Sequence, residues 1–322
     1  MIPAARSALE AVGGATLVLT KYSGHEKRCT REALEQGATK IVVLGGDGTI
    51  SQVACELVRL KSPVPLAIFG AGTGNDFAKS LGTPTLDFPA MTKLIAEDRT
   101  RTIDAGQIDD TVFVNSAGFG FDVEVVSRTH AVLRTRNGIH LRGKVVYIKA
   151  ALEQLFRFGG FKARVLPADQ TIGAREITSK NNQISNTKTF LGVPPNFERG
   201  AIANDVVVTQ AAFEAPRWLT MVFANGSWFG GSFHIAPDAS IDDGLLDAVF
   251  IGDASPFRRV SLFARAAGGR HGAQPEVEMT RASQFVVEFT SPPLYQADGE
   301  LHQATSAKVV IRSLRAAWRV FA

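Results

Sequence analysis

Long apolar runs are missing from this sequence. No stretch approaches the ~20 residues a bilayer-spanning helix needs, so any meeting with lipid is expected from the water side. Cysteine is nearly absent as well. Cys29 and Cys55 sit in polar or helical stretches, form no metal-type pair and fit a reduced cytoplasmic setting. The opening residues carry no basic run ahead of an apolar one, and Glu10 stands where a signal peptide is apolar. Without secretion, the glycosylation-type triplet Asn225-Gly226-Ser227 is a chance match. The net charge is only +4, a balance that suits an anionic surface or a nucleotide no better than it suits an ordinary soluble protein. The six histidines are scattered. No His-Glu-x-x-His, nucleophile elbow or Cys/His cluster occurs, and no nucleic-acid partner is expected.

What is present is enough for two domains: 322 residues, 45% of them hydrophobic and 20% charged. Early on, strand and helix signals alternate. Ala15–Leu19, Lys40–Leu44 and Pro65–Phe69 read as strands, the last two ending in glycines. Glu26–Gln36 and Ser51–Leu60 read as helices, the second with apolar residues at Val53, Ala54, Leu57 and Val58. That order predicts a parallel α/β domain over residues 1–110. Beyond it the texture changes, and residues 111–311 are expected to be mainly antiparallel β. The strands there are read at Val112–Val114, Ala163–Leu166, Leu219–Ala224, Leu246–Ile251, Gln284–Phe289 and Lys308–Ile311, with one helix at Val145–Phe156. The polar stretch 169–216 reads as a long insertion, and the tail 312–322 as a candidate to rejoin the first domain.

Two glycine loops carry chemistry. Gly45-Gly46-Asp47-Gly48-Thr49 lies directly between a strand and a helix, where glycines let backbone N–H groups approach a phosphate and the helix N-terminus adds positive charge. Gly70-Ala71-Gly72-Thr73-Gly74-Asn75-Asp76 follows the next strand. In a parallel sheet both loops face one crevice, each bringing an acid. A dinucleotide fingerprint is excluded, because Asn75 stands where its third glycine belongs. Gly138 to Lys144 has Walker spacing, yet Val145 replaces the metal-holding hydroxyl and no strand precedes it, so chance explains it. Asp242-Asp243-Gly244 before an apolar strand is a turn signal and also a plausible hard-cation loop. Taken alone, the turn is favoured. Asp298-Gly299-Glu300 is likewise a turn that could also supply an acid to orient an attacking hydroxyl.

In this order the motifs resemble the diacylglycerol kinase catalytic family, which includes bacterial lipid kinases and the sphingosine and ceramide kinases. The resemblance runs from about Thr16 to Phe321. It also rests on Phe113-Val114-Asn115-Ser116-Ala117-Gly118-Phe119-Gly120-Phe121-Asp122, Asn225-Gly226, Gly230-Gly231 and Ala236-Pro237. It implies an amino-terminal α/β domain like that of phosphofructokinase and NAD kinase, followed by a β-sandwich, with the site in the cleft between them. It also implies an ATP-dependent kinase acting on a lipid hydroxyl, with diacylglycerol the favoured substrate. Nucleotide contacts would come from Thr20, Gly46, Asp47, Gly48, Thr49, Ile50, Ser51, Gln52, Thr73, Asn75 and Asp76. Asp47 and Asp76 would organise a catalytic Mg2+. Ser240, Asp243 and Leu245 would hold a structural one. Asp298 would be the general base, with Glu300 its partner. The protein would be cytoplasmic, with peripheral contact at the inner face of the membrane and a possible homodimer.

Two departures from the family pattern matter. The family opens with a strand ending in Asn-Pro-x-(Ser/Ala)-Gly, and this chain begins after it. Ser51 stands where most members have Asn. Two other readings compete: a kinase of the same superfold on a soluble substrate, as NAD kinase is, and a non-catalytic nucleotide- or lipid-binding remnant. The paired turns at Asp243 and Asp298 oppose the first, and the full set of carboxylates opposes the second.

Overall fold

The computed structural model describes residues 7, 10, 15–83, 87–135, 143–166, 215–231 and 233–322. The Walker-like run 138–144 and the polar stretch 169–216 therefore fall largely outside the described residues. The first elements are α1 (His25–Glu35), β1 (Ile41–Gly45), α2 (Asp47–Arg59), β2 (Leu66–Gly70), α3 (Asp76–Leu81) and α4 (Phe88–Ala96). β1 and β2 pair in parallel, in register from Ile41–Leu66 to Gly45–Gly70. Every residue of β2 is buried, as a strand covered on both faces must be. Alternation then divides its side chains. Leu66 and Ile68 pack with Ile50, Val53 and Leu57 of α2, while Ala67 and Phe69 pack with Met91 and Ile95 of α4. Ala15–Leu19, expected to be a strand, has no regular structure and is exposed. Its apolar residues mimic a strand locally, but a strand exists only when a neighbour completes its hydrogen bonds.

The second half runs β3 (Thr100–Ile108), β4 (Thr111–Phe113), β5 (Ser116–Gly120), α5 (Phe121–Thr135), α6 (Gly143–Arg157), β6 (Phe161–Leu166), β7 (Arg217–Ala224), β8 (Leu246–Gly252), α7 (Pro256–Ala267), β9 (Val277–Ala282), β10 (Gln284–Phe289), β11 (Leu294–Ala297), β12 (Glu300–Gln303) and β13 (Lys308–Phe321). Phe119, Phe223, Phe250, Phe285 and Phe289 fill the space between the two layers of strands. The outer face of β7 and β8 is covered by α5, α6 and α7, with Phe121, Val125, Leu155 and Leu262 against Val222, Val249 and Ile251.

The sequence predicts one helix in this half, and the described residues form three. The start of α5 is rich in valine, which reads as strand, and only packing on β7 makes it a helix. The start of α7 is legible in the sequence, since Ser255 followed by Pro256 is a helix start with proline in the first turn.

β13 ties the halves together. Its beginning pairs antiparallel with β10, its length follows β3 from Ile311–Ile108 to Phe321–Thr100, and Val320 lies parallel to Leu66 of β2. A bulge between Leu314 and Trp318, with Ala316 at φ 52°, lets one strand serve both layers.

Candidate active site

The pairing of Gly45 with Gly70 starts both glycine loops side by side. They then touch. A Cβ on Gly72 would lie 2.5 Å from the Cα of Gly46, so glycine is required at the crossing. Asp47 joins the loops. Its Oδ2 accepts the Asn75 N–H at 2.7 Å, and its Oδ1 accepts the N–H groups of Asp76 at 2.6 Å and Phe77 at 3.4 Å. These are first-turn amides of α3, so a carboxylate from a neighbouring loop caps that helix. Asn75, at φ 53°, turns its side chain back on Gly72, accepting the N–H at 2.8 Å and donating to the C=O at 3.1 Å. Its side chain therefore shapes the loop.

The remaining predicted nucleotide residues separate into groups. Gly46, Gly48 and Thr49 form the N-terminal turn of α2, and Thr49 sits so close under Gly45 that a Cβ there would lie 2.8 Å from its own Cβ. Thr73 lines the cavity described below. Ile50 leaves the set: its side chain is wholly buried in the core, and its N–H donates to Gly46 O at 3.0 Å. Gln52 has its Oε1 enclosed without a hydrogen-bond partner among the described residues. Thr20 lies in the exposed stretch ahead of α1 and bonds to neither loop among the described residues. Ser51 turns to the other acid, as follows.

Asp76 faces Asp47 across Gly74. A Cβ on Gly74 would lie 2.7 Å from Asp47 Oδ2 and 3.7 Å from Asp76 Oδ2, so the missing side chain leaves a cradle between two carboxylates. Burial raises the Asp76 pKa above its ordinary value and the Asp47 charge adds to this, while the Gly231 N–H at 2.6 Å and Lys79 Nζ at 3.3 Å act the other way. Crowded acids of this kind are relieved by a cation, and the donor set of hard oxygens fits Mg2+.

Asp298 and Gly299, at φ 48° and 85°, form the two-residue turn of the β11–β12 hairpin. The turn drives the Asp298 carboxylate into a ring of donors: Val114 N–H at 2.8 Å, Asn115 N–H at 2.9 Å, Ser116 N–H at 3.0 Å and the Ser51 hydroxyl at 2.6 Å. Burial pushes its pKa up, and the Ser51 hydroxyl and the three amides oppose that shift. Ser51, predicted at the nucleotide, is thus placed on the acid. Glu300 starts β12 in an exposed position and does not line the cavity. Cys55, beneath, donates to Val112 O at 3.3 Å, and burial beside the Asp298 charge raises its thiol far out of the reactive range.

Asp47, Asp76 and Asp298 open into one cavity of about 550 Å³. Ser51 and Thr73 complete its polar end. Its other end is apolar, walled by Phe121, Val126, Leu155, Phe229, Phe233 and Phe263, where α5, α6 and α7 meet. A volume of that size holds a small ligand and part of a long apolar one.

The sequence reading missed several residues around this site. Gln296 lines the cavity, gives Nε2 to Asp122 Oδ2 at 3.0 Å and accepts the Gly299 N–H at 2.9 Å. Asp122 also meets the Thr220 hydroxyl at 3.1 Å, and its burial lifts its pKa to about 6. Lys79 bonds Gly231 O at 3.1 Å and lies 5.0 Å from the Trp228 ring centroid. Asp104, buried in β3, accepts the N–H groups of Gly244 and Ala316, each at 2.6 Å. It fastens the Asp242-Asp243-Gly244 turn to the bulge of β13. Only tertiary pairing could reveal that role.

At that turn Asp243 accepts the Leu245 N–H at 2.9 Å and faces Arg281 at 3.8 Å, while the Ser240 hydroxyl donates to Asp242 at 2.7 Å. Hydrogen bonds and Arg281 already balance Asp243, so one carboxylate and two carbonyls would make a modest cation site.

The diacylglycerol kinase catalytic domain family matches residues 1–108, and the YegS C-terminal NAD kinase beta sandwich-like domain matches residues 115–321. The chain belongs to the YegS-type diacylglycerol kinase family. It is therefore a lipid kinase, a phosphotransferase, built as an α/β domain and a β-sandwich. This lipid kinase is 27% identical over 288 residues to a Pseudomonas aeruginosa protein named "Probable lipid kinase YegS-like", covering 88% of this chain and 76% of that one. It is 28% identical over 273 residues to a Mycobacterium tuberculosis diacylglycerol kinase, covering 83% and 72%. In fold it matches the crystal structure of a Bacillus anthracis diacylglycerol kinase with a TM-score of 0.62 at 17% identity, over 98% of this chain and 87% of that one. No described helix of this lipid kinase is long and apolar enough to cross a membrane.

Proposed function

We propose that the protein transfers the γ-phosphate of ATP to the hydroxyl of a membrane-derived lipid, diacylglycerol being the favoured substrate. One observation carries this reading: the carboxylates and the apolar gallery are two ends of the same cavity. Walls of phenylalanine, valine and leucine suit an acyl chain better than a polar soluble acceptor. The enzyme would work from the cytoplasm, at the inner face of the membrane.

The residues divide the work. The N-terminal turn of α2 and the second glycine loop offer backbone N–H groups and a helix dipole to the phosphates. Asp47 and Asp76 would hold Mg2+, which when bound neutralises charge on the transferring phosphate. Asp47 at the same time fixes the loop geometry through α3. The lipid hydroxyl enters beside Asp298 and displaces the Ser51 hydroxyl from it. Its oxygen bonds to the γ-phosphorus as the bond to the bridging oxygen breaks, ADP leaves, and the proton passes to Asp298. A carboxylate raised by burial is the better proton acceptor. Glu300 is exposed and outside the cavity lining, so that proton is left to Asp298.

Radiolabelled ATP offered with diacylglycerol, monoacylglycerol, ceramide and sphingosine, with and without Mg2+, tests the reading. Label is expected in diacylglycerol and only with the metal. Labelling of a soluble acceptor such as NAD in place of every lipid would replace this reading.

A further inference from the structure

Amphipathic helices hide their apolar side, and α7 does this only in part. Arg259, Leu262 and Ala266 are buried, yet its outward side carries Phe257, Val260 and Ala264 at helical spacing. Phe257 is 82% exposed. Beside it α6 presents Leu152 and Phe156, exposed by 52% and 55%, and the Phe156 and Phe257 rings lie 6.3 Å apart. The two helices are locked together. Arg259 gives Nη1 to the C=O groups of Leu155 at 2.9 Å and Phe158 at 2.8 Å, and Nη2 to Asp253 at 2.5 Å, so the last carbonyls of α6 are capped from α7. The apolar ridge is therefore a fixed feature of the surface.

We propose that this ridge inserts into the interface of an anionic lipid bilayer, so that the mouth of the cavity faces the membrane. The proposal rests on the lipid-kinase reading and names the surface that serves it. Continuity favours a bilayer: Leu152 belongs to the exposed ridge and also lines the cavity, as does exposed Ala267 at the end of α7. Charge favours it too. The acids around the ridge are each paired, Glu153 with Lys149, Asp253 with Arg259 and Glu276 with Arg258. Arg157, Arg265 and Arg270 are exposed and take part in no ion pair among the described residues. A phenylalanine-tipped ridge carrying unpaired arginines is the composition that partitions into an anionic interface.

The test needs neither ATP nor substrate, so it can fail while the kinase reading stands. Wild type and the double variant Phe156→Ser/Phe257→Ser are floated with vesicles of phosphatidylcholine and phosphatidylglycerol free of diacylglycerol. Neither residue lines the cavity. The expected result is that wild type floats and the variant partitions about tenfold or more weakly, given the transfer free energy of two phenylalanines. Turnover of a dispersed short-chain diacylglycerol should stay unchanged. Phe257→Trp gives an independent reading, because its fluorescence should shift blue and be quenched by brominated lipid. Equal flotation of wild type and double variant, or an unshifted Phe257→Trp, overturns the proposal. So does a wild-type dimer that the double variant converts to monomer, which would make the ridge a contact between copies of this chain.

Discussion

At the scale of single residues the decisive feature is that each acid of the site already has work in the fold. Asp298 receives three amides and a hydroxyl, and an asparagine there can offer them only one oxygen. Asp298→Asn is therefore expected to lower kcat by ~10²–10⁴-fold. It should also lose about 1–3 kcal/mol of stability through unsatisfied donors. Single-turnover rates measured beside melting curves separate the two effects. A folded variant with near-normal turnover would remove Asp298 from proton transfer.

Asp122 behaves differently, because it is buried with neutral partners. It binds its proton more tightly folded than unfolded, so its contribution to stability is full below pH ~4 and is lost as pH rises to about 6. Raising a carboxyl from an ordinary 3.8 to about 6 corresponds to roughly 3 kcal/mol lost at neutral pH. Asp122→Asn can still accept from Gln296 and can donate to Thr220, whose hydroxyl then serves Phe119 O. Its melting temperature should exceed that of wild type at pH 7.5, and the gap should close near pH 4. A gap that is constant with pH would mean that Asp122 does not titrate in this window.

At the scale of elements, turns and caps assign roles that residue types leave open. The Asp298-Gly299 and Asp243-Gly244 pairs are both tight turns in sequence. The first is a hairpin that aims its acid inward, and the second is held from beneath by Asp104. Whether the second also binds a cation is decided by chelation. If it does, a chelator should lower the melting temperature of wild type, while Asp243→Asn should melt lower and ignore the chelator. Insensitivity of wild type would leave the loop as a turn braced by Arg281. The same scale separates α5 from α7. The valine-rich start of α5 has weak helical preference and packing on β7 settles it, whereas α7 carries its own start signal at Ser255-Pro256.

At the scale of the whole molecule, the cavity exists because the glycine loops of the α/β layers and the β11–β12 hairpin supply its polar lining and three helices on the sandwich supply its apolar lining. Val126 lines the cavity from α5 and belongs to none of its polar groups. Val126→Trp should fill the gallery and lower kcat/KM for long-chain diacylglycerol at least about tenfold more than for a short-chain one. Equal losses on both substrates would show that acyl chains lie elsewhere.

The sequence by itself determined the two glycine loops, their acids, the order of layers and the family they identify. Those are properties of neighbouring residues: glycine where the backbone must approach, strands that end at it, helices that begin after it. Only the tertiary structure decided that Ser51 belongs to Asp298, that Ile50 is core, that Asp47 caps a helix and that Asp104 anchors a turn. Ile50 is core because α2 turns it onto the sheet, and the other three each join residues distant in the chain through a carboxylate. A buried carboxylate must find donors, and which donors reach it depends on strand register and packing, which local sequence does not encode.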